Sequence, residues 1–266
     1  MAEIPVNSIQ FSEELIRIIR SATHILVLTG AGISAESGIP TFREAQTGLW
    51  AKYNPEDLAT PESFQRNPRL VWEWYTWRRD LIQKAIPNPG HLALAVMEKL
   101  VPNFHLITQN VDNLHRIAGS QNIIEFHGNI FQTKCSYEDI IIESWPETRD
   151  IPPRCPRCNH FLRPNVVWFG ESIPQQAITS AINCIQNCEV FFSIGTSSLV
   201  EPSASLPLTA RLQGSVIIEI NLEHTPMTYL ADFVLKGPSG KILPGLIANI
   251  WPQFYPQDTN FSSSKS

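Results

Sequence analysis

The sequence contains no long hydrophobic run and no long run of charge of one sign. No apolar stretch approaches the roughly 20 residues that a membrane-spanning helix needs. The N-terminus also does not show a basic start, an apolar core and a cleavage site in that order. The 20 basic and 25 acidic side chains give a net charge of −5, which argues against a nucleic-acid or anionic-membrane partner. We therefore expect a soluble, cytoplasmic protein.

Cysteine is scarce and is confined to the second half of the 266 residues. The five cysteines are Cys135, Cys155, Cys158, Cys184 and Cys188. This odd number is a poor disulfide framework but is compatible with a local metal site. Cys184 and Cys188, four apart in a predicted helix, are expected to be core thiols. The remaining composition, 43% apolar and 17% charged, is typical of a globular protein with one large domain or two modest ones.

Short runs of β-branched and aromatic residues recur along the chain and predict buried strands. They are nearly all apolar, which is typical of a parallel sheet covered by helices on both faces. Helical patterns lie between several of them, so the sequence predicts an α/β fold with a doubly wound, parallel, Rossmann-like sheet. The strand runs are residues 24–29, 104–108, 123–126, 190–194, 216–220 and 233–235, and the helical runs are 12–20, 91–100 and 175–188.

Two stretches interrupt this alternation and are interpreted as insertions into the connections of the sheet. Residues 48–86 are rich in Trp, Pro and charge and predict a helical insertion, with its helical period at 70–82. Residues 128–164 hold three of the cysteines and predict a zinc-ribbon-like insertion. The Rossmann-like domain then comprises residues 1–47, 87–127 and 165–255, and residues 256–266 form a flexible tail.

Small and polar residues follow five of the predicted strands. Ligands of open parallel sheets lie outside the carboxyl ends of the strands, so these residues are candidates for one binding rim. Gly30, Gly32 and Ala35 have the G-x-G-x-x-A spacing of a turn that approaches a diphosphate. The acidic residue expected about 20 residues later to hold a ribose is missing. Adenosine contacts would therefore come from late strands, at Thr196, Ser197 and Asn221.

Eight segments, in family order, resemble the motifs of the sirtuins, which are NAD-dependent protein lysine deacylases. An ordered set spanning residues 30–240 is far more specific than a single glycine-rich turn. The segments are GAGISAESGIPTFR (30–43), TQNVDNLH (108–115), EFHGN (125–129), CPRC (155–158), VVWFGE (166–171), GTSSLVEP (195–202), EIN (219–221) and GPSG (237–240).

The resemblance implies that NAD is the cofactor. The first motif would hold the diphosphate, and its last two residues would close over the nicotinamide ribose. The second motif would supply the donors and acceptors that the nicotinamide carboxamide needs. The implied NAD-binding residues are Gly30, Ala31, Gly32, Ser34, Phe42, Arg43, Gln109, Asn110, Asp112, Gly195, Thr196, Ser197, Asn221 and Ser239.

His127 matches the catalytic base of the family, whereas His115 is expected to be structural. The implied reaction begins when the amide oxygen of the acyl-lysine attacks C1′ of the nicotinamide ribose, which releases nicotinamide and leaves an O-alkylamidate. A ribose hydroxyl must then lose a proton, and an imidazole with a pKa of about 6.5 can accept it at neutral pH. The products would be free lysine and O-acyl-ADP-ribose, so the acyl group is transferred to ADP-ribose.

Val167, Trp168, Phe169 and Gly170 resemble the family's edge segment, which pairs with an extended substrate peptide through main-chain hydrogen bonds. The resemblance implies that acylated lysines in proteins or peptides are the substrates. Phe169 would line the acyl-lysine channel. This segment favours a deacylase over the alternative of an NAD hydrolase or ADP-ribosyltransferase on the same fold. A non-enzymatic NAD sensor would not need His127.

Ala59, Tyr75 and Arg78 resemble the sirtuin subclass that prefers succinyl- and malonyl-lysine. Such acyl groups carry a carboxylate into an apolar channel, where an unpaired charge is costly. The Arg78 guanidinium could pair with it through two parallel bonds, and Tyr75 would add a hydroxyl donor. Desuccinylation and demalonylation are therefore expected beside deacetylation. Arg79 projects about 100° away around the helix and is expected to be solvated.

The cysteine set departs from the family pattern. Sirtuins usually hold a structural zinc with two Cys-x-x-Cys pairs. Cys155 and Cys158 form one pair, but Cys135 is followed at the expected partner position by Glu138. Three thiolates and a carboxylate could bind zinc, or the module could have lost its metal and be held by apolar side chains such as Trp145. In either case the metal would be remote from the chemistry.

Overall fold

A central six-stranded parallel sheet organises the protein. The computed structural model describes residues 10–41, 53–146 and 149–254. The strands are β1 (His24–Thr29), β2 (Asn103–Thr108), β3 (Ile123–Glu125), β4 (Gly128–Cys135), β5 (Leu162–Val166), β6 (Val190–Ile194), β7 (Val216–Asn221) and β8 (Phe233–Lys236). The sheet has the order β3-β2-β1-β6-β7-β8, with every neighbouring pair parallel. The chain order reverses between β1 and β6, which is where sheets of this type bind ligands.

Helices cover both faces of this sheet, as the apolar strands require. They are α1 (Glu13–Ser21), α2 (Ala31–Ala35), α3 (Pro55–Leu58), α4 (Pro61–Arg66), α5 (Pro68–Ile82), α6 (Pro89–Leu100), α7 (Leu114–Ile117), α8 (Gln175–Ile185), α9 (Leu206–Leu212) and α10 (Ser239–Ile250). One core cluster contains residues of α1, α6 and α10, and a second contains residues of α8 and α9. The predicted doubly wound α/β fold is confirmed.

The strand predictions agree with the structure to within one residue at each end, whereas one helix was predicted to extend too far and α10 was not predicted. Helix α8 ends at Ile185, so Cys188 lies beyond the helix, although it is buried as expected. Helix α10 escaped prediction because apolar residues surround it. It packs against α1 and α6, carries Pro244 in its interior and exposes little beyond Lys241 and Asn249, so its polar face is too narrow to show a helical period.

The two predicted insertions contact each other. Strands β4 and β5 form a separate antiparallel pair, and helix α5 packs against both. The third core cluster joins Trp74 and Tyr75 of α5 to Ile130 and Val166 of this pair. Strand β4 begins directly after His127 at Gly128, where a Cβ atom would lie 2.2 Å from the carbonyl oxygen of Asn165. Only glycine permits this approach, which sets the small sheet beside the end of β3.

No helix within the described ranges is long and apolar enough to cross a bilayer. The predicted tail at 256–266 lies outside the described residues.

Candidate functional site

The turn after β1 contacts the end of β6 backbone to backbone. The N–H of Gly30 donates to the carbonyl oxygen of Ile194 at 3.0 Å, and that of Gly32 donates to Gly195 at 2.8 Å. A Cβ atom on Gly30 would lie 2.7 Å from the carbonyl oxygen of Gly195, and one on Gly32 would lie 2.8 Å from its Cα atom. Gly195 itself has a φ of +57°. The glycines are therefore required for chain packing at the switch point, a reason that the motif spacing did not reveal.

Four of the predicted NAD-binding residues form one hydrogen-bond network beside this turn. Ser34 donates through Oγ to Oδ2 of Asp112 at 2.6 Å. Asn110 donates through Nδ2 to Gly30 O and Ser34 Oγ, each at 3.0 Å. Burial raises the pKa of the Asp112 carboxyl, and its bonds from Ser34 and the N–H of Leu114 oppose that rise. The network fixes the residues after β2 against helix α2.

Gln109 is held from both ends of its side-chain amide. Its Nε2 donates to Thr196 Oγ1 at 3.0 Å, and its Oε1 accepts from Ser203 Oγ at 3.0 Å. Asn221 donates through Nδ2 to the carbonyl oxygen of Thr196 at 2.8 Å. Residues assigned to the nicotinamide and adenosine sides are thus connected through Thr196. Ser203 was not predicted, and its only signal in the sequence is its place directly after the GTSSLVEP motif.

His127 lies at the end of β3, next to this rim. Its Nδ1 atom is 2.9 Å from the backbone carbonyl oxygen of Gln109. A carbonyl oxygen can only accept, so this geometry assigns the hydrogen to Nδ1 and leaves a lone pair on Nε2. Burial lowers the pKa of the imidazole. His127 is consequently neutral and able to accept a proton at physiological pH.

The expected structural role of His115 agrees with its surroundings. His115 is buried, and its Nε2 lies 3.0 Å from the hydroxyl oxygen of Thr29, whose hydrogen is donated to Thr108. Its ring lies 4.8 Å from that of the buried His91, measured between ring centres. The pair joins helices α6 and α7 to the ends of β1 and β2.

Ser239 makes its hydrogen bond within the chain. Its Oγ donates to Oε1 of Glu36 at 2.7 Å, and the N–H of Gly240 donates to the same oxygen at 3.0 Å. The Glu36 carboxylate therefore stabilises the N-terminus of α10, where a negative charge is favoured. Glu36 was missed because its partners lie some 200 positions away in the sequence. Phe42 and Arg43 lie outside the described residues.

Two residues of the predicted acyl pocket belong to one buried cluster, and the third, Arg78, lies over the ring of Trp74 in that cluster. Ala59 and Tyr75 are buried with Trp168, whose Nε1 donates to the Tyr75 hydroxyl at 2.9 Å. Burial raises the pKa of Tyr75 to about 12. Arg78 is half-buried, with Cζ 5.1 Å from the ring centre of Trp74. Burial lowers the pKa of its guanidinium, and the nearby Tyr75 partly opposes that shift.

The prediction that Arg79 is solvated was wrong. Its Nε donates to the carbonyl oxygen of Ile130 at 2.9 Å, and its Cζ lies 5.9 Å from the ring centre of Trp72. Arg79 is half-buried because strand β4 covers this side of helix α5, which the helical period could not reveal.

The segment after β5 uses three consecutive N–H groups inside the chain. Val167 donates to the carbonyl oxygen of His127 at 2.9 Å and Phe169 donates to that of Ala59 at 2.9 Å. Trp168 donates to Oε2 of Glu171 at 2.8 Å. Phe169 is 45% exposed and Gly170 is exposed with a φ of +86°. The segment is thus anchored between His127 and Ala59 and leaves the phenyl ring of Phe169 accessible.

Cys135, Glu138, Cys155 and Cys158 converge in the small module. Their ligand atoms all lie within 4.8 Å of one another, and Sγ of Cys135 is 3.3 Å from Sγ of Cys158. The carboxylate of Glu138 thus occupies the position where a fourth ligand is needed. Its Oε2 is buried, has no hydrogen-bond partner among the described residues and lies 3.2 Å from Nε of Arg157. Three thiolates and one carboxylate at these separations fit a tetrahedral zinc ion.

Comparisons with known proteins agree with this arrangement. The Sir2 family model matches residues 30–202. An NAD-dependent protein deacylase of Pyrococcus furiosus is 48% identical over 244 residues, which cover 89% of this chain and 97% of the relative. A protein of the same name from Aquifex aeolicus is 53% identical over 214 residues, which cover 80% of this chain and 89% of the relative.

Two solved structures extend the comparison to the fold. A Sir2 homologue in complex with NAD has a TM-score of 0.84 and 42% identity, covering 92% of this chain and 95% of the homologue. A Sir2 protein bound to acetylated peptide has a TM-score of 0.78 and 29% identity, and the match covers 88% of this chain and 96% of that protein's chain. The resemblance of the eight motifs is confirmed, and the chain belongs to the Sir2 family.

Proposed function

We propose that the protein is an NAD-dependent protein-lysine deacylase that transfers the acyl group of a modified lysine to ADP-ribose. The observation that carries this proposal is the neutral, oriented His127 at the rim where the strand order reverses. The names of relatives that are 48% and 53% identical support the same activity.

In this proposal His127 is the general base. The bond from Nδ1 to Gln109 O fixes the ring and leaves Nε2 to accept a proton from a ribose hydroxyl. The same bond would stabilise the imidazolium once the proton has arrived, because its donor then carries positive charge. The lowered pKa lets His127 release that proton readily at neutral pH.

NAD fits the residues at the switch point. When bound there, it supplies the ADP-ribosyl group that accepts the acyl group and it releases nicotinamide. The backbone contacts of Gly30 and Gly32 keep the turn after β1 free of side chains, as close approach by a diphosphate requires. The Asn110 and Asp112 side chains, which Ser34 links, would present acceptor oxygens to the nicotinamide side, since both Nδ2 hydrogens of Asn110 are bonded inside the chain. Thr196 and Asn221 would take the adenosine side.

We assign the substrate peptide to the segment 167–170. Its hydrogen bonds to His127 O and Ala59 O support a peptide site between the proposed base and the proposed acyl pocket. Because three of its N–H groups are bonded inside the chain, pairing with a peptide would use its carbonyl oxygens and the N–H of Gly170. The exposed ring of Phe169 would contact the acyl-lysine stem.

We further propose that acidic acyl groups are preferred. Arg78 places a cation beside buried apolar side chains, where an acyl carboxylate could pair with it. Tyr75 stays protonated at neutral pH and can donate to the same carboxylate. Ala59 is small and buried in the same cluster.

A structural zinc ion would be held by Cys135, Cys155 and Cys158, with Glu138 as the fourth ligand. The buried Oε2 of Glu138 supports this set, because it accepts no hydrogen bond among the described residues and is paired there with the Arg157 guanidinium alone at 3.2 Å. A zinc ion would give this carboxylate a second cation.

One assay tests the proposed activity against NAD hydrolysis and ADP-ribosyl transfer. The protein is incubated with NAD and equal amounts of acetyl-, succinyl- and malonyl-lysine peptides, and every product is identified by mass. A deacylase gives free lysine peptide, nicotinamide and O-acyl-ADP-ribose in equal amounts. Free ADP-ribose without deacylated peptide indicates a hydrolase, and a peptide heavier by ADP-ribose indicates a transferase.

A further inference from the structure

Trp168 links the peptide segment to the acyl pocket. Its ring is buried between Phe64 and Tyr75, with ring centres 5.3 Å and 6.3 Å away. Its indole N–H donates to the Tyr75 hydroxyl oxygen at 2.9 Å. The two residues are 93 positions apart in sequence, so this bond joins helix α5 to the segment after β5.

Arg163 and Glu171 fix both the backbone and the ring of Trp168. The Arg163 guanidinium lies over the ring, with Cζ 3.3 Å from its centre, and donates to Glu171 Oε2 at 2.9 Å and to Val166 O at 2.8 Å. Glu171 accepts the backbone N–H of Trp168 at 2.8 Å. A cation over the indole face also withdraws electron density from the ring, which strengthens its N–H as a donor.

The donated bond determines what the Tyr75 hydroxyl can do. A phenol oxygen has one hydrogen to donate and lone pairs to accept with. Because the indole N–H occupies a lone pair, the hydroxyl hydrogen must be directed away from Trp168. Burial raises the pKa of Tyr75 to about 12, so the hydrogen is retained at neutral pH. The hydroxyl is therefore oriented as a donor to an acceptor that enters from another side.

We propose that Trp168 is a positioning residue for acyl-group selectivity, and that its indole N–H orients the Tyr75 hydroxyl to donate to the carboxylate of an acidic acyl group. The inference deepens the proposed function and rests on it. In this proposal Trp168 acts only through Tyr75, whose hydroxyl oxygen accepts its indole N–H.

A double-mutant cycle tests this dependence. The ratio of kcat/KM for succinyl- and acetyl-lysine peptides is measured for wild type, Trp168→Phe, Tyr75→Phe and the double variant. Trp168→Phe keeps an aromatic ring and removes the indole N–H. We expect each single variant to lower the ratio about tenfold to a hundredfold, consistent with one hydrogen bond to a charged group. In the Tyr75→Phe background, Trp168→Phe should leave the ratio unchanged.

The outcomes separate this inference from the acyl preference itself. If Tyr75→Phe lowers the ratio and Trp168→Phe does not, the inference alone is overturned. It is also overturned if Trp168→Phe lowers the ratio equally in the wild-type and Tyr75→Phe backgrounds. If the wild type prefers acetyl-lysine and Tyr75→Phe leaves the succinyl-to-acetyl ratio unchanged, the acyl preference and the inference both fail.

A second measurement does not depend on Trp168→Phe folding. In the nitrogen-15 spectrum of the full chain, the indole N–H signal of one of the seven tryptophans should move upfield in Tyr75→Phe, because that N–H loses its acceptor. If all seven indole signals keep their positions, the bond is absent in solution and the inference fails.

Discussion

The backbone carbonyl of Gln109 accepts the Nδ1 hydrogen of His127 at 2.9 Å, while the Gln109 side chain is bonded to Thr196 and Ser203. One residue thus joins the proposed base to the ends of β2 and β6. Because the carbonyl belongs to the backbone, a side-chain change at Gln109 would disturb the rim without removing the acceptor for His127. The orientation of the base is therefore determined by the fold.

Replacing His127 should strongly slow catalysis and leave the fold intact. We expect His127→Ala to lower deacylation by about 10² to 10⁴, the range for a general base, with a nearly unchanged melting temperature. Single-turnover assays and thermal unfolding would measure the two quantities. A variant within tenfold of wild type would exclude His127 from the role of base.

The pH profile of the wild type provides a second readout for His127. The base is active when neutral, and burial lowers its pKa below the ordinary value of about 6.5. The rate should therefore be constant above that pH and fall only as the pH drops through the lowered value. An acidic limb centred above pH ~6.5 would contradict this assignment.

The sequence predicted the sheet well because burial on both faces demands continuous apolar runs, such as residues 190–194. It also placed the polar rim, since parallel strands bring their carboxyl ends together. It could not reveal partners that meet only through folding. Ser203 and Gln109 are 94 positions apart, and Ser239 and Glu36 are 203 apart. Short polar strands such as β5, with the buried Arg163 and Pro164 inside it, show no strand period at all.

The metal proposal predicts a measurable role for Glu138. We expect about one zinc ion per chain by elemental analysis, since the four ligand atoms form one site. Glu138→Ala should release zinc at lower chelator concentration than wild type does. Glu138→Cys should require more chelator, because a fourth thiolate suits zinc better than a carboxylate.

The zinc ion should also stabilise the fold. Loss of zinc should lower the melting temperature more than it lowers the activity of the remaining folded protein. Wild-type protein that is folded and contains no zinc would contradict the proposed site, and Glu138→Ala would then have no effect on metal content.

The buried pair His91 and His115 should make the protein sensitive to acid. Burial lowers the pKa of His91 to about 4 and that of His115 well below its ordinary value. Unfolded histidines bind protons at higher pH than the folded ones do, so stability falls as the pH drops from about 6.5 towards about 4. His91 alone should account for about 3 kcal/mol of that loss.

Urea unfolding at several pH values checks this window. His91→Gln should flatten the pH dependence of the free energy of unfolding between pH ~7 and pH ~4.5. His224 is exposed, so His224→Gln is the matched control and should keep the wild-type dependence. If His91→Gln retains the full wild-type slope, other groups carry the acid sensitivity.

The proposed acyl preference depends most directly on Arg78. Removing the Arg78 guanidinium should therefore change the selectivity among acyl groups without lowering the activity on all of them. We expect Arg78→Met to cost succinyl- and malonyl-lysine substrates about 2 to 5 kcal/mol in transition-state stabilisation, the range for breaking a buried hydrogen-bonded charge pair. Acetyl-lysine carries no charge at that end, so its turnover should stay constant or rise as the desolvated cation is removed.

Arg79→Met is the matched control for Arg78→Met. Arg79 is the next residue of helix α5, but its guanidinium bonds to Ile130 O. Its loss should lower stability while preserving the ratio of succinyl to acetyl turnover. Arg78→Lys should retain the charge and recover only part of the preference, because an ammonium group cannot form two parallel bonds to a carboxylate. A wild type that removes acetyl far better than succinyl, or an Arg78→Met variant that slows both equally, would show that this guanidinium does not recognise the acyl group.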